Sequence, residues 1–451
     1  MAKKRRKKET AAAARPAARA GALVAAAALA AALAGTALVV DTEAAAAFDA
    51  PKRLIALLGI ALAAAAAFLL PGPSSDPDAA ALLRRGPRSR RAAALLTAAA
   101  LLLALLAALL SPRRPVSLDA LRSVAVFALL LPLGASAAVV RGRHWLAGTF
   151  LGATAVNAIV SLLESRGLFH PFALETFGSR QETGAYAGNV GYLAITLSLA
   201  TVLSLGLLLK AVRPRVRVAA AVSLVLDAAA LLVNQNLTAL TAALAGAAVL
   251  LAMLHGRRAA LPMAGAVLAA AVAFAAYPPL RFRAREAVAA VRTGNWDALV
   301  SFRGGAWAAG VEMARDRPLT GYGPGTFGAE YVPHRLAAEI RARHRFVAPL
   351  LTSSYAEAHC DYLQVFSEAG TPAGLLVLAA VGCLFAALVR TVRRGTTAEA
   401  VILLGVLAAS ATAALTWFPL QRPVTAVPIL LAAGRAWRIS EEPGSSEEAG
   451  G

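Results

Sequence analysis

The chain has 451 residues, of which 59% are hydrophobic and 16% are charged, and its formal net charge is +20. Soluble domains carry about 25% charged residues, so this composition excludes an ordinary soluble enzyme. The mean hydropathy is +0.64, and the apolar residues form runs of roughly 17–25 residues, the length that crosses a bilayer as a helix. We therefore predict an all-α, polytopic membrane protein.

The positive charge has two interpretations, which are nucleic-acid binding and Lys and Arg lying near anionic lipid on the cytoplasmic face. The second is the usual one in a polytopic membrane protein, so we expect no nucleic-acid partner. Of the two cysteines, Cys383 lies in an apolar run and Cys360 in a polar segment. This separation predicts that no disulfide joins them.

The apolar runs predict about twelve transmembrane helices. The first run follows a basic stretch, residues 1–16, and is longer than the apolar core of a signal peptide, so we interpret it as an uncleaved first helix. The candidate spans lie near residues 17–40, 53–70, 92–110, 118–140, 145–163, 188–209, 218–233, 237–254, 261–277, 372–390, 398–416 and 423–437.

The basic residues between the spans predict the orientation. Placing the N-terminus inside also puts most of the short basic connections inside, as the positive-inside rule requires. The resulting organisation is a basic cytoplasmic N-terminus at 1–16, a membrane domain of about nine spans at 17–277, a large extracytoplasmic catalytic loop of short helices at 278–371, three last spans at 372–438 and a disordered cytoplasmic tail at 439–451.

The loop at 278–371 contains eleven arginines and the most informative motifs. Arg303 and Trp307 are four residues apart and would share one helix face. The stretch from Asp316 to Gly325 contains three glycines and two prolines, which predict a tight turn. Such a turn can expose backbone N–H groups to an anion; the alternative is a simple surface loop.

Further along the loop, residues 334–345 predict a basic helix that includes Arg341 and Arg345. This helix could bind a pyrophosphate through bidentate guanidinium contacts or lie on anionic lipid. His359 could act as a general base, or it could simply bond to nearby backbone. Neighbouring His359, Cys360 and Asp361 point in different directions on a helix, so we predict no metal site.

Together these stretches resemble the O-antigen ligase and polymerase family of membrane glycosyltransferases. The resemblance covers roughly residues 180–437. The matching motifs are Arg303 and Trp307, Asp316-Arg-Pro-Leu319, Gly321-Tyr-Gly-Pro-Gly-Thr-Phe327, His359 followed by Tyr362-Leu-Gln364 and Glu368, Gly188-Asn189 with Tyr192-Leu-Ala194, and Phe418-Pro-Leu420 followed by Pro423.

The resemblance implies an enzyme of the bacterial cytoplasmic (inner) membrane that acts in lipopolysaccharide or polysaccharide biosynthesis, with no metal or other cofactor. It would move a glycan from polyprenyl (undecaprenyl) diphosphate onto a hydroxyl of a glycan, lipid or protein acceptor. The resemblance implies that His359 and Arg303 are catalytic, and we add Glu357 as a third catalytic candidate. The implied substrate-binding residues are Arg341, Arg345, Trp307, Tyr322, Asn189 and Gln364.

Two departures from the family pattern add further expectations. Glu357 and Cys360 stand where members often have His and Asn, so Glu357 could supply a base or orient His359. The span near Asn236–Gly246 lacks an arginine that many members carry, so we expect a pyrophosphate contact from elsewhere, such as Arg341 or Arg345.

The open alternatives within the family are a polysaccharide polymerase and a protein O-oligosaccharyltransferase. From other classes, a lipid-linked glycan transporter and an inactive envelope scaffold remain. A transporter should show internal repeats and polar residues in the middle of its spans. The arginines of this chain lie in the loop instead, and this distribution favours the enzyme.

Overall fold

The computed structural model describes residues 2–44, 46–68, 88–172, 184–259, 261, 263–265, 272, 275–346, 355–395 and 397–440. Within these ranges the chain forms helices and connections without a strand, which confirms the predicted all-α fold. Nine helices of the described ranges are long and apolar enough to cross a membrane. The count of twelve spans stays a prediction, because the expected span at 261–277 lies largely outside the described residues, as does most of the tail at 439–451.

Among the described residues, nine α-helices precede the polar segment, and α4 and α5 together form one candidate span, Arg114–Gly134. These helices are α1 (Ala2–Leu38), α2 (Ala50–Phe68), α3 (Arg88–Leu110), α4 (Arg114–Ala128), α5 (Leu130–Gly134), α6 (Ala137–Glu164), α7 (Val190–Lys210), α8 (Pro214–Asn234) and α9 (Leu237–His255). The first helix therefore includes most of the basic stretch that the sequence predicts as an N-terminal extension.

The polar segment contributes four short helices, and three further helices follow it. The short helices are α10 (Pro278–Thr293), α11 (Trp296–Leu299), α12 (Gly304–Asp316) and α13 (Phe327–Ala342). The later helices are α14 (Asp361–Arg393), α15 (Ala398–Ala413) and α16 (Pro423–Ile439).

One boundary between predicted spans differs from the structure. The chain turns at Ala135 and Ser136, whereas the sequence interpretation placed this connection at 141–144. Arg141 and Arg143 therefore lie in the first two turns of α6. Hydropathy placed the boundary at the charges, but a helix can continue past the apolar zone because its backbone hydrogen bonds do not depend on side-chain polarity.

The predicted basic helix at 334–345 also begins and ends elsewhere. The observed helix α13 starts at Phe327 and accommodates Pro333 in its second turn. It ends at Ala342, where Arg343 adopts a left-handed conformation with φ 49°. The amide of His344 then donates to the carbonyl of Glu339, a bond that is typical of a helix C-terminus. His344 and Arg345 consequently lie outside the helix.

Helix α14 joins the polar segment to the next span, as the sequence interpretation expected, and it is kinked at Gly370. Gly370 has φ 85°, a conformation that L-residues rarely adopt. A side chain at Gly370 would overlap the carbonyl of Leu319. The kink therefore lets the connection after α12 pack directly against α14 at Gly370.

Close backbone packing holds the membrane helices together. A Cβ at Gly246 of α9 would lie 2.7 Å from the carbonyl oxygen of Gly405 in α15, so the two helices meet at glycines. Such small-residue contacts are typical of helix packing in membranes. The polar segment docks at one end of this bundle, where the Ser111 hydroxyl donates to the Tyr322 carbonyl at 2.5 Å.

Candidate functional site

Arg303 immediately precedes α12, after two residues in left-handed conformations, Ser301 (φ 54°) and Phe302 (φ 62°). Its Nη1 donates to the Thr416 carbonyl at 2.8 Å, and its guanidinium lies 4.7 Å from the centre of the Trp417 ring. Burial lowers the pKa of Arg303 to about 10, so the group stays charged at neutral pH. The described contacts of this buried cation are thus a carbonyl and an aromatic face.

His359 is surrounded by aromatic rings. Its ring meets Tyr355, Trp417 and Phe418 edge-on, with centroid distances of 5.0, 5.2 and 4.8 Å. His359 Nδ1 is buried and has no hydrogen-bond partner among the described residues. The residue has φ 52°, and a non-glycine residue in this region costs on the order of 1–3 kcal/mol. Such strain is characteristic of functional positions.

Trp307 and two cations define the chemistry of His359. The Trp307 indole donates from Nε1 to the His359 carbonyl at 3.3 Å and so supports the strained backbone. Burial, and then the charges of Arg303 and Arg422, lower the pKa of His359 to about 3. The imidazole is therefore neutral at physiological pH and can accept a proton or a hydrogen bond.

Arg422 is a site residue that the sequence interpretation missed. Its Nη1 pairs with Asp49 at 3.2 Å, and its Nη2 donates to Glu357. The same guanidinium lies 5.0 Å from the centre of the Tyr192 ring and 5.5 Å from that of Phe418. Burial raises the pKa of Glu357, although Arg422 opposes the shift. The predicted Glu357 thus joins the site as the partner of an arginine.

The connection between α15 and α16 links the two cations. Trp417 and Phe418 are stacked with their centroids 4.9 Å apart and an interplanar angle of 14°. Arg303 lies over Trp417, and Arg422 lies over Phe418. The sequence signal for Arg422 was its place between Pro419 and Pro423 in a short connection beside these aromatic residues.

Thr238 at the start of α9 supports this connection. Its hydroxyl lies 3.0 Å from the hydroxyl of Thr416, whose carbonyl accepts the hydrogen bond from Arg303. Thr238 lies in the stretch where the family resemblance led us to expect an arginine. In this chain that stretch instead contacts the connection between α15 and α16 through the Thr238 hydroxyl.

Two predicted binding residues have local structural contacts. Asn189 caps α7 and accepts from the amide of Gly191 at 2.8 Å, as side chains at this helix position commonly do. Gln364 is buried, accepts from the amide of Ala358 at 3.0 Å and donates to Glu368 at 3.3 Å. Gln364 thereby orders the backbone beside His359, and its substrate-binding role stays a prediction.

The other predicted binding residues lie away from His359 along the polar segment. Arg341 pairs with Glu312 at 2.6 Å. Glu312 follows Arg303 by nine residues, which is about 13 Å along a helix. Arg345 is exposed. Tyr322 is 7% exposed, and its hydroxyl donates to Asp316 and lies 2.8 Å from His334 Nε2. Their roles in substrate binding remain predictions.

The glycine turn, residues 321–325, is occupied by the chain's own polar groups. The amides of Tyr322 and Gly323 donate to the carbonyls of Ser367 and Glu368 at 3.1 and 2.7 Å. The Glu368 carboxylate accepts from the amide of Phe327 at 3.0 Å. The predicted anion-binding turn therefore surrounds an internal carboxylate, because α14 inserts Glu368 into it.

The described residues contain no group of three or more His, Cys, Asp or Glu side chains that could hold a metal ion. Metal-independent chemistry nevertheless stays a prediction. Beside the site, a cavity of about 1970 Å³ extends between the membrane helices. It runs from Glu357 and Gln421 at the site end, past apolar side chains of α3, α4 and α14, to Trp437 and Arg438.

These features define a multi-pass membrane protein with a cationic, aromatic site at one end of its helical bundle. A protein-family model described as O-Antigen ligase matches residues 222–378. The matched segment includes Arg303, Trp307, Glu357 and His359, and it confirms the resemblance inferred from the motifs. Residues 222–378 are thus similar to the O-antigen ligase family, and this similarity supports a glycan-transferring function in the membrane. No curated protein matches the chain.

Proposed function

We propose that the protein transfers a glycan from a polyprenyl diphosphate to an acceptor hydroxyl, as an O-antigen ligase does. The observation that carries the proposal is the convergence of Arg303 and His359 on the Trp417–Phe418 pair. A buried cation beside a neutral imidazole suits a reaction that has an anionic leaving group and needs a proton acceptor.

The reaction balances with the groups of this site. The acceptor oxygen attacks the anomeric carbon, the bond from that carbon to the diphosphate oxygen breaks, and polyprenyl diphosphate leaves with the electron pair. Arg303 stabilises the negative charge that develops on the leaving oxygens. The acceptor proton passes to His359 or to the Glu357 carboxylate.

Donor binding would also raise the proton affinity of His359. The charges of Arg303 and Arg422 help to depress its pKa. A diphosphate beside these arginines would offset their charge, so the imidazole would become a better base when a donor is present. This coupling accounts for a histidine whose pKa of about 3 otherwise makes it a weak base.

The large cavity supports a lipid-linked donor. Its volume of about 1970 Å³ exceeds the roughly 300–1,000 Å³ of ordinary small-molecule pockets. Its walls are mainly apolar residues of the membrane helices, and its site end reaches Glu357. A polyprenyl chain in this cavity would hold its diphosphate near the arginines.

The test is transfer by purified protein in lipid, with a polyprenyl-diphosphate-linked glycan as donor, with EDTA present and with glycan, lipid and protein acceptors compared. We expect His359→Ala to reduce transfer by about 100-fold or more, the usual range for a general acid–base residue. His344→Ala is the matched control, because His344 lies in the same segment, is exposed and pairs with Asp297 at 3.7 Å.

Equal loss in the two histidine variants would contradict a specific role of His359. Loss of all transfer on adding EDTA would contradict the metal-independent reaction. The acceptor used would separate a ligase from a polymerase and from a protein O-oligosaccharyltransferase. A wild-type protein that moves the donor across the bilayer without transferring its glycan would instead be a transporter, and one that does neither would fit a scaffold.

A further inference from the structure

We infer that Arg422 is a second diphosphate-binding residue of this site, so that the donor's two phosphates lie between Arg303 and Arg422. The inference rests on the proposed function and names a binding residue at the N-cap position of α16, the last helix of the described chain. It differs from the sequence expectation, which looked for the second cation on or near α13.

The position of Arg422 is the first argument. Arg303 and Arg422 lie over the two rings of one stacked pair, and His359 meets both rings edge-on. Each guanidinium group thus contacts one ring of the aromatic pair that borders the imidazole. An anion with two charged groups fits such a pair of cations better than an anion with one.

The donors of Arg422 are the second argument. Guanidinium has five N–H donors, and the ion pairs with Asp49 and Glu357 engage one terminal nitrogen each. Arg422 Nε is buried and has no hydrogen-bond partner among the described residues. A buried donor without a partner costs free energy, so its presence points to a ligand oxygen that completes it.

The charge of the surroundings is the third argument. Asp49 also lies 3.5 Å from Arg53, and Lys52 lies over the Phe48 ring at 5.4 Å. Four cations and two carboxylates are linked by these contacts, and the formal charges of these six groups sum to +2. These groups are Arg303, Arg422, Arg53, Lys52, Asp49 and Glu357. An excess of two positive charges suits a diphosphate, and the carboxylates hold the guanidinium in place until it binds.

The alternative is that Arg422 is only a structural clamp between Asp49 and Glu357. The two roles predict opposite effects for Asp49→Asn. A clamp loses one of its partners, so donor binding should weaken as it does in Arg422→Gln. A phosphate-binding arginine loses a competing carboxylate, so binding should stay unchanged or tighten.

The experiment measures direct binding of polyprenyl diphosphate and of polyprenyl monophosphate of the same chain length to the full-length protein in lipid nanodiscs. We expect Arg422→Gln to weaken diphosphate binding by about 10- to 100-fold, the usual effect of losing one hydrogen bond between charged groups. Monophosphate binding should change less, so the preference for diphosphate should fall.

Arg435→Gln is the matched control. Arg435 lies on the same helix, pairs with Glu399 at 2.8 Å and is 6% exposed, but it is thirteen residues or about 20 Å from Arg422. We expect its loss to lower thermal stability without changing diphosphate binding. If Arg422→Gln does not fold, Arg422→Lys keeps the charge for the two carboxylates and should still reduce the preference for diphosphate.

The outcomes separate the two proposals. If the wild type does not bind polyprenyl diphosphate, the proposed function fails. If the wild type binds it and Arg303→Gln weakens binding while Arg422→Gln and Arg422→Lys do not, this inference is wrong and the proposed function stands. Weakening by both Arg422→Gln and Asp49→Asn would also overturn it, in favour of the clamp.

Discussion

Two regions of the polar segment carry motifs that predict anion binding, and the structure gives them different partners. In the glycine turn, backbone amides donate to carbonyls of α14, and the amide of Phe327 donates to the side-chain carboxyl group of Glu368, an acidic group of the chain itself. At the candidate site, Arg303 contacts a carbonyl and a tryptophan ring. A motif shows that a segment can bind an anion, but the surrounding elements decide whether that anion comes from inside or outside the protein.

The same contrast separates the arginines. Arg341 and Arg335 pair with Glu312 and Glu339 of the segment itself, at 2.6 and 3.0 Å. Their charges are therefore neutralised locally, although the sequence around them is the more basic. Density of basic residues consequently did not locate the cation that lies beside His359.

The largest expected effect comes from exchanging these two kinds of arginine for glutamine. Arg303→Gln should reduce glycan transfer by roughly 100- to 1000-fold, because a preplaced donor to the developing charge is lost. Arg341→Gln should change transfer by less than about threefold, because Arg341 is largely exposed and already paired with Glu312, and ion pairs with an exposed partner contribute little. Initial transfer rates at saturating donor measure both.

A similar loss in the two arginine variants would break the comparison between the regions. Retained expression and an unchanged melting temperature are the control, since a misfolded Arg303→Gln protein would lose transfer for another reason.

The glycine turn should matter for folding. A side chain at Gly321, where φ is 63°, would overlap the backbone of Glu368. Gly321→Ala should therefore destabilise the protein by about 3 kcal/mol or more, combining a left-handed alanine with overpacking. Gly294→Ala is the control, because Gly294 has φ 67° but no described atom within 4 Å of its Cβ position, so only the cost of about 1–2 kcal/mol remains.

Unfolding in detergent or lipid by denaturant measures the difference between the glycine variants. Equal destabilisation would mean that the contact between the turn and α14 adds nothing beyond backbone conformation.

Thr238 should have a smaller, specific effect on transfer. Thr238→Val removes the hydroxyl contact to Thr416, whose carbonyl accepts from Arg303. We expect transfer to fall by about five- to tenfold, the usual effect of about 1 kcal/mol from one neutral hydrogen bond. Thr241→Val in the same helix is the control, and equal effects would argue against positioning through Thr416.

The last expected effect is on folding stability as a function of pH. The pKa of His359 is lowered to about 3 in the folded protein from an ordinary value of 6.5, so the unfolded chain binds the proton first on acidification. The contribution of His359 to the free energy of unfolding is therefore fully present above pH 6.5 and is lost as the pH falls towards 3. His359→Gln should lose less stability than the wild type between pH 6.5 and 4, as measured by thermal unfolding.

Parallel loss of stability in wild type and His359→Gln over that range would mean that His359 is not desolvated in the folded protein.

Much of the fold and part of the site could be predicted from the sequence. Apolar runs are local and long, so they predicted helices that the described residues confirm, apart from the span at 261–277, and the motifs at Arg303, Trp307 and His359 indicated the family resemblance. Span ends were less accurate, as at Ser136, because side-chain polarity does not terminate a helix. Arg422 was missed because it lies 63 residues from His359 along the chain, at positions 422 and 359.

The sequence by itself determined that this chain is a helical membrane protein whose polar segment has motifs similar to those of the O-antigen ligase family. Hydropathy and short motifs are properties of neighbouring residues, so the sequence alone can show them. Only the tertiary structure decided which charges face each other. In the folded protein Glu368 contacts the glycine turn, and Glu312 pairs with Arg341. The Trp417–Phe418 pair contacts Arg303 and Arg422. Such pairing depends on contacts between distant helices, and residue order alone does not specify them.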